Sequence, residues 1–71
     1  MNKTFKIEVD CANCANLIEE AVQKVQGIKG VNISFMTQKM KIAFEDNTDI
    51  DAVMTDVLKT AKRIEPDFEI L

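Results

Sequence analysis

The sequence of this 71-residue chain lacks histidine altogether and contains only two cysteines, one proline and two glycines. It therefore cannot supply the four cysteine or histidine ligands that a structural zinc site takes. It also lacks an excess of basic residues: the formal net charge is −3. This acidity argues against nucleic-acid binding and against attraction to an anionic membrane surface. No segment approaches the ~20 consecutive apolar residues that span a membrane.

The first ten residues, MNKTFKIEVD, also lack the apolar core of a signal peptide. We therefore expect a soluble, cytoplasmic protein whose residues 1–71 form one domain. In a reducing cytosol, a C-x-x-C pair is more typical of metal binding or redox chemistry than of a structural disulfide.

Apolar residues are present at two clear periodicities, 46% of the chain being hydrophobic. Alternation with polar residues predicts four strands, around Phe5–Val9, Val31–Phe35, Met40–Phe44 and Ile64–Leu71. The last contains Phe68 and Ile70 in alternation and is expected at an edge of the sheet. Spacings of three and four residues predict two amphipathic helices. Their apolar stripes are Cys14, Leu17, Ile18, Ala21, Val22 and Val25, and Ile50, Val53, Met54, Val57, Leu58 and Ala61.

The resulting order is β-α-β-β-α-β. Each helix has a single apolar stripe, so both should cover one face of a four-stranded antiparallel sheet, which is the ferredoxin-like α+β arrangement. Gly27 is a candidate C-terminal cap of the first helix. Thr48 and Asp51 fit a capping box before the second helix, with Asp49 suited to its positive end. Pro66 should end that helix.

The sequence VDCANCAN places Cys11 in the loop after the first strand and Cys14 on the apolar stripe of the first helix. A helix N-terminus favours the thiolate, which is the form that binds metal or attacks a disulfide. Three interpretations are open: an open metal site with few protein ligands, a thiol–disulfide redox pair, and inert core and loop thiols. The neighbouring Asp10 disfavours the redox pair, because a carboxylate opposes thiolate formation.

The element order, the DCANCA segment and the strand pair VNISFMTQKMKIAF together resemble the heavy-metal-associated domain over essentially the whole chain. That family comprises metallochaperones, mercury-binding proteins and cytosolic N-terminal domains of metal-pumping P-type ATPases. The resemblance implies that Cys11 and Cys14 bind the ion and pass it on by ligand exchange. This sequence departs from the family pattern at Glu8 and Val9, where the family has Gly-Met. Glu8 does not have glycine's backbone freedom.

Asp10 bears on the identity of the metal. Two thiolates and a carboxylate leave less net charge on a divalent ion than on Cu(I), and carboxylate oxygen is an ordinary zinc ligand. Aspartate before the first cysteine also resembles the domains of zinc-, cadmium- and lead-exporting ATPases. We therefore predict a Zn(II), Cd(II) or Pb(II) site formed by Asp10, Cys11 and Cys14. The alternative role for Asp10 is a helix cap or a solvated charge.

Lys62 is a candidate for offsetting the charge of the site, because the fold brings the end of the second helix near the start of the first. Its segment KTAK resembles the KTGK of copper chaperones, so it favours the alternative of a free-standing copper(I) metallochaperone. Its other interpretation is a cation complementing the helix C-terminus. Met36 and Met40 flank the predicted hairpin turn, and a core position is the expected role for them.

These observations predict a metal-binding domain that is not itself an enzyme. Its expected context is the cytosolic N-terminus of a heavy-metal-exporting P-type ATPase in the plasma membrane. The expected partners are the metal ion and either the remainder of that ATPase or a metal-donor protein, without nucleic acid or membrane insertion. We expect a monomer. The alternative is a metal-bridged dimer, in which a second molecule supplies the ligand that the ion lacks.

Overall fold

A computed structural model of the chain describes residues 2–71. Its elements follow the predicted order, β-α-β-β-α-β. The strands are β1 Asn2–Glu8, β2 Ile28–Ser34, β3 Lys39–Phe44 and β4 Glu69–Ile70; the helices are α1 Ala12–Gln23 and α2 Ile50–Ile64.

The four strands form one antiparallel sheet in the order β2-β3-β1-β4. The ferredoxin-like arrangement predicted from the sequence is therefore confirmed. β1 lies between β3 and β4: β3 pairs with β1 as far as Lys6, and the end of β1 at Ile7 and Glu8 pairs with Ile70 and Glu69 of β4. This end of β1 leads directly into the cysteine segment, so the sheet determines where that segment begins.

The core lies between the sheet and the two helices. Each helix contributes three buried residues, which are Ala15, Ile18 and Val22 in α1 and Val53, Val57 and Ala61 in α2. Leu17, predicted to lie on the buried stripe, is 44% exposed. Met40 is fully buried as expected, but Met36 is 90% exposed, so a core role was wrong for it. Within residues 2–71, neither helix has the length and apolarity that crossing a bilayer requires.

Both predicted helix caps need correction. α1 ends at Gln23 with Lys24 as its C-cap, so Gly27 is not the cap. Gly27 instead adopts a φ of +96° in the connection to β2, where a Cβ would come within 2.8 Å of the Val53 side chain. The N-cap of α2 is Asp49 instead of Thr48, and its side chain accepts a hydrogen bond from the Ala52 N–H.

The end of α2 positions the last strand. The helix continues to Ile64 with Glu65 as its C-cap, and Pro66 then prevents its continuation. Phe68 lies in the turn before β4 and is fully buried, although it had been predicted to belong to the strand. β4 is a short edge strand of two residues, which confirms its edge position but not its predicted length.

Candidate metal centre

The two cysteines lie at the N-terminus of α1. Cys11 is the N-cap residue, with extended backbone (φ −135°, ψ 126°), and its Sγ accepts a hydrogen bond from the Cys14 N–H at 3.4 Å. The Cys11 carbonyl accepts the first helical bond, from the Ala15 N–H at 2.9 Å. The sequence-based placement of both sulfurs at the positive end of the helix is therefore correct.

Cys11 and Cys14 are free and half-buried, and Cys14 also packs against the hydrophobic core. Of the first four residues of α1, Cys14 is the third, so it belongs both to the exposed helix end and to the buried stripe. This position holds one sulfur on rigid structure, while the other sulfur lies on the residue that joins the loop to the helix.

Their surroundings give the two thiols different acidities. The hydrogen bonds from the backbone and the side chain of Cys14 lower the pKa of Cys11 from its ordinary value. The hydrogen bond to Cys11 and desolvation raise the pKa of Cys14 to about 11. The two groups titrate as a pair, in which the first proton leaves Cys11 and the second is retained by Cys14. In the metal-free site, Cys11 is thus the more acidic thiol and ionises first, whereas Cys14 must lose a more firmly held proton to join it as a ligand.

Glu65 is a functional candidate that the sequence analysis missed. Its negative charge opposes ionisation of both thiols, and its carboxylate also raises the pKa of Cys14 through a hydrogen bond. As the C-cap of α2, it is fixed beside the start of α1, and one carboxylate oxygen accepts a hydrogen bond from the Asp67 N–H at 3.2 Å. Pro66 is the signal that could have marked Glu65 as the end of the helix, since helices often end at the residue directly before a proline.

The structure places the other two predicted site residues at the surface. Asp10 is exposed directly before Cys11, and Lys62 is exposed on α2 beside Leu58, Glu69 and Ile70. Among residues 2–71, no three cysteine, aspartate or glutamate side chains are already grouped closely enough to hold a metal ion. A third ligand would therefore have to turn toward the two sulfurs when the ion binds.

The loop before Cys11 does not require the glycine that Glu8 replaces. Within the part of the chain that the structure describes, the non-glycine residues with positive φ are Gln38 and Asn47, neither of them in this loop. Val9 is 5% exposed and anchors the loop in the core. Its N–H donates a hydrogen bond to the side-chain oxygen of Gln38 at 2.8 Å.

A fold with two helices on one face of the sheet, and a C-x-x-C pair at the first helix N-terminus, defines a class of small metal-binding domains. The sequence profile of the heavy-metal-associated domain matches residues 4–66. The chain belongs to this family, whose members bind heavy metals and are not themselves catalytic.

Two curated relatives have comparable similarity. Heavy metal-associated isoprenylated plant protein 28 of Arabidopsis thaliana is 30% identical over 61 residues, which is 86% of this chain but only 37% of that protein. The periplasmic component of a mercuric transport protein of Shewanella putrefaciens is 29% identical over 62 residues, or 83% of this chain and 68% of that protein. The chain thus spans little more than a third of the plant relative.

Solved structures share the fold at lower identity. The CopZ metallochaperone superposes with a TM-score of 0.75 at 12% identity, with both chains fully covered. A copper-bound variant of CopA from Bacillus subtilis gives 0.73 at 16% identity, over all of this chain and 88% of that one. A copper-binding domain of the P-type ATPase HMA7 gives 0.69 at 19% identity, over 99% and 92%.

Proposed function

We propose that this domain binds a divalent ion, Zn(II), Cd(II) or Pb(II), through the thiolates of Cys11 and Cys14, with the Asp10 carboxylate as a third ligand. The observation that supports it best is the negative charge of Glu65 acting on both thiols. Two thiolates with a carboxylate beside them carry more negative charge than a monovalent ion can offset. A divalent ion leaves a smaller net charge, and it tolerates oxygen as well as sulfur ligands.

The third ligand has two candidates that differ in their present positions. Asp10 is adjacent to Cys11 but exposed, whereas the Glu65 carboxylate already interacts with the Cys14 thiol. Both side chains are flexible enough to turn toward an ion held by the sulfurs. Asp10 is the primary assignment because it directly precedes Cys11 in the same loop and because its carboxylate is an ordinary ligand of divalent ions.

The domain would serve as the cytosolic N-terminal domain of a heavy-metal-exporting P-type ATPase. There it would receive the ion from a donor and release it to the transport machinery by exchange of thiolate ligands, without catalysing a reaction. Lys62, at the last turn of α2, would offset part of the charge of the occupied site. The domain would act as a monomer, with sharing of one ion between two molecules as the alternative.

A copper(I) metallochaperone is the second candidate. Cu(I) is satisfied by few soft ligands, and the two sulfurs already lie together at the start of α1, whereas residues 2–71 contain no group of three or more cysteine, aspartate or glutamate side chains placed to hold a metal ion. The names of several solved structures with this fold refer to copper. Binding by two sulfurs alone would leave Asp10 and Glu65 without a role in affinity.

Measured affinities of four proteins for Zn(II), Cd(II) and Cu(I) separate these possibilities: wild type, Asp10→Ala, Glu65→Gln and Asp46→Ala. Asp46 is an exposed carboxylate in the connection between β3 and α2, at the opposite end of the sheet, and serves as the control. We expect Asp10→Ala to weaken Zn(II) and Cd(II) binding about tenfold or more and to leave Cu(I) binding unchanged. Asp46→Ala should bind all three ions as wild type does.

Two results would change the assignment. If Glu65→Gln weakens Zn(II) binding and Asp10→Ala does not, Glu65 is the third ligand. Both affinities are measured against the same concentration of a competing thiol. If neither variant changes Zn(II) affinity and wild type binds Cu(I) far more tightly than Zn(II), the divalent assignment is wrong and the copper function holds.

A further inference from the structure

Gln38 lies in the turn between β2 and β3 and forms hydrogen bonds through its backbone carbonyl and through both polar atoms of its side chain. Its backbone is left-handed, with a φ of 55°. Its carbonyl accepts a hydrogen bond from the Ile7 N–H at 3.0 Å. Its side-chain oxygen accepts one from the Val9 N–H at 2.8 Å, and its side-chain nitrogen donates one to the Phe35 carbonyl at 2.8 Å.

These contacts extend the sheet beyond its last backbone pair. The register of β1 with β3 ends at Lys6 and Lys39, after which the β2–β3 turn leads the chain away. Val9 points its N–H toward the side of β1 that β3 no longer covers. Because a half-buried N–H without a partner is costly, the side-chain amide of Gln38 replaces the missing backbone carbonyl.

The segment held in this way is the start of the cysteine loop. Val9 is two residues before Cys11, and its side chain is already fixed in the core. With its N–H bound to Gln38, both the backbone and the side chain of Val9 are immobilised. The chain from Val9 to the Cys11 N-cap therefore has few conformations available before any ion arrives.

We propose that Gln38 is a positioning residue for metal binding, which holds the Val9–Cys11 segment so that the Cys11 sulfur is presented beside Cys14. The proposal rests on the binding of metal by the two cysteines. Gln38 does not contact the ion. It reduces the conformational freedom that the loop would lose on binding, so its loss should weaken affinity mainly by faster dissociation.

The test compares Gln38→Asn, Gln38→Glu and Gln23→Asn with wild type. Asparagine tolerates the left-handed conformation but is one methylene too short to reach both partners. Glutamate keeps an oxygen for the Val9 N–H but cannot donate to Phe35. Gln23 is the matched control: its amide also bridges two backbone groups, Lys29 O at 3.3 Å and Val31 N at 3.2 Å, but at the other end of α1.

Four quantities are measured for each protein: the unfolding temperature, the hydrogen exchange rate of the Val9 amide, the affinity for Cd(II) and the dissociation rate of Cd(II). We expect Gln38→Asn to accelerate Val9 exchange and to weaken Cd(II) affinity about tenfold, the equivalent of one lost hydrogen bond. Gln38→Glu should fall between Gln38→Asn and wild type. Gln23→Asn should change stability without changing Cd(II) affinity.

The outcomes separate this proposal from the proposed function. Suppose that wild type binds Cd(II) and that the Cd(II) affinity of Gln38→Asn is within about twofold of that of wild type, although its Val9 amide exchanges faster. Positioning by Gln38 is then overturned, but metal binding by the cysteines is not. Equal losses of affinity in Gln38→Asn and Gln23→Asn would also overturn it, because they would show a general effect of stability. If wild type binds neither Cd(II) nor Zn(II), both are overturned.

Discussion

The N-termini of α1 and α2 have the same capping geometry but different capping atoms. In α1 the Sγ of Cys11 accepts from the Cys14 N–H at 3.4 Å, and in α2 the Oδ1 of Asp49 accepts from the Ala52 N–H at the same distance. Carboxylate oxygen is a strong acceptor and sulfur a weak one. The start of α2 is therefore built for stability, whereas α1 is capped by a group that can leave the backbone and bind an ion.

The two helices also differ in where their apolar stripe begins. The stripe of α2 starts at Ile50, the first residue of the helix, but that of α1 starts at Cys14, the third residue. α1 thus begins two residues before it reaches the core. This half-turn is enough to place Cys14 both against the core and at the exposed end of the helix.

The largest expected effect comes from removing the thiol cap. Cys11→Ser should reduce Cd(II) affinity on the order of 100-fold or more. Mutating a residue that merely supports a metal ligand costs about 10- to 100-fold in affinity, and removing the ligand itself should cost more. The metal-free protein should remain as stable as wild type or more so, since serine is a preferred N-cap. Cd–thiolate ultraviolet absorbance and thermal unfolding of the metal-free protein measure the two effects.

The comparison between the helices would fail if Cys11→Ser unfolded the metal-free domain. That result would mean that the cysteine is needed for the helix itself and is not a weak cap retained for binding. An absence of any Cd–thiolate band in reduced wild type would instead contradict metal binding by the pair.

The pH dependence of binding should reveal the unequal thiols. Binding requires both thiolates, and Cys14 keeps its proton up to a pKa of about 11. Between the lowered pKa of Cys11 and this value, one proton is released per ion, so Cd(II) affinity should rise about tenfold per pH unit. Below the pKa of Cys11, two protons must leave and the dependence should be steeper.

The same shift has an effect on the metal-free protein. The pKa of Cys14 is raised from 9.0, so the folded state favours the neutral thiol. Its contribution to stability is complete below the thiol pKa of the unfolded chain and is lost as the pH rises through about 11. Chemical unfolding across this range measures the loss. Stability that increases over the same range would contradict the assigned direction.

Much of this architecture could be predicted because the relevant signals are local. Alternating residues identified β1 and β3, three- and four-residue spacing identified both helices, and Pro66 marked the end of α2. The cysteine positions followed from the same periodicity. The Asp10 assignment depends on charge and chemical preference instead, and it remains a prediction.

What the sequence did not reveal depends on contacts between distant segments. Glu65 acts on Cys14 across 51 residues of chain, and Gln38 binds Val9 across 29. No periodicity marks such pairs. The cap role predicted for Gly27 was wrong for a related reason: Gly27 lies close to Val53 on α2, where an added Cβ would come within 2.8 Å of the Val53 side chain. The core role expected for Met36 was wrong because β2 ends at Ser34 and Met36 lies in the turn that begins at Phe35.

The smallest expected effect tests the other side of the comparison, the carboxylate cap of α2. Asp49→Ala should lower the free energy of unfolding by about 1 kcal/mol, because the Ala52 N–H loses its acceptor. For a domain of this size, the unfolding temperature should fall by about 4–8 °C. Cd(II) affinity should be unchanged, because Asp49 lies at the opposite end of the sheet from the cysteines.

Asp51→Ala is the matched control for that change. Asp51 is an exposed acidic residue in the first turn of α2 and interacts with the helix dipole without capping it. Its removal should cost less than the removal of Asp49. If the two variants were equally stable, the Asp49 hydrogen bond would contribute nothing beyond its charge. The two helices would then differ only in the metal-binding capacity of their first turns, and the stability assigned to the α2 cap would be wrong.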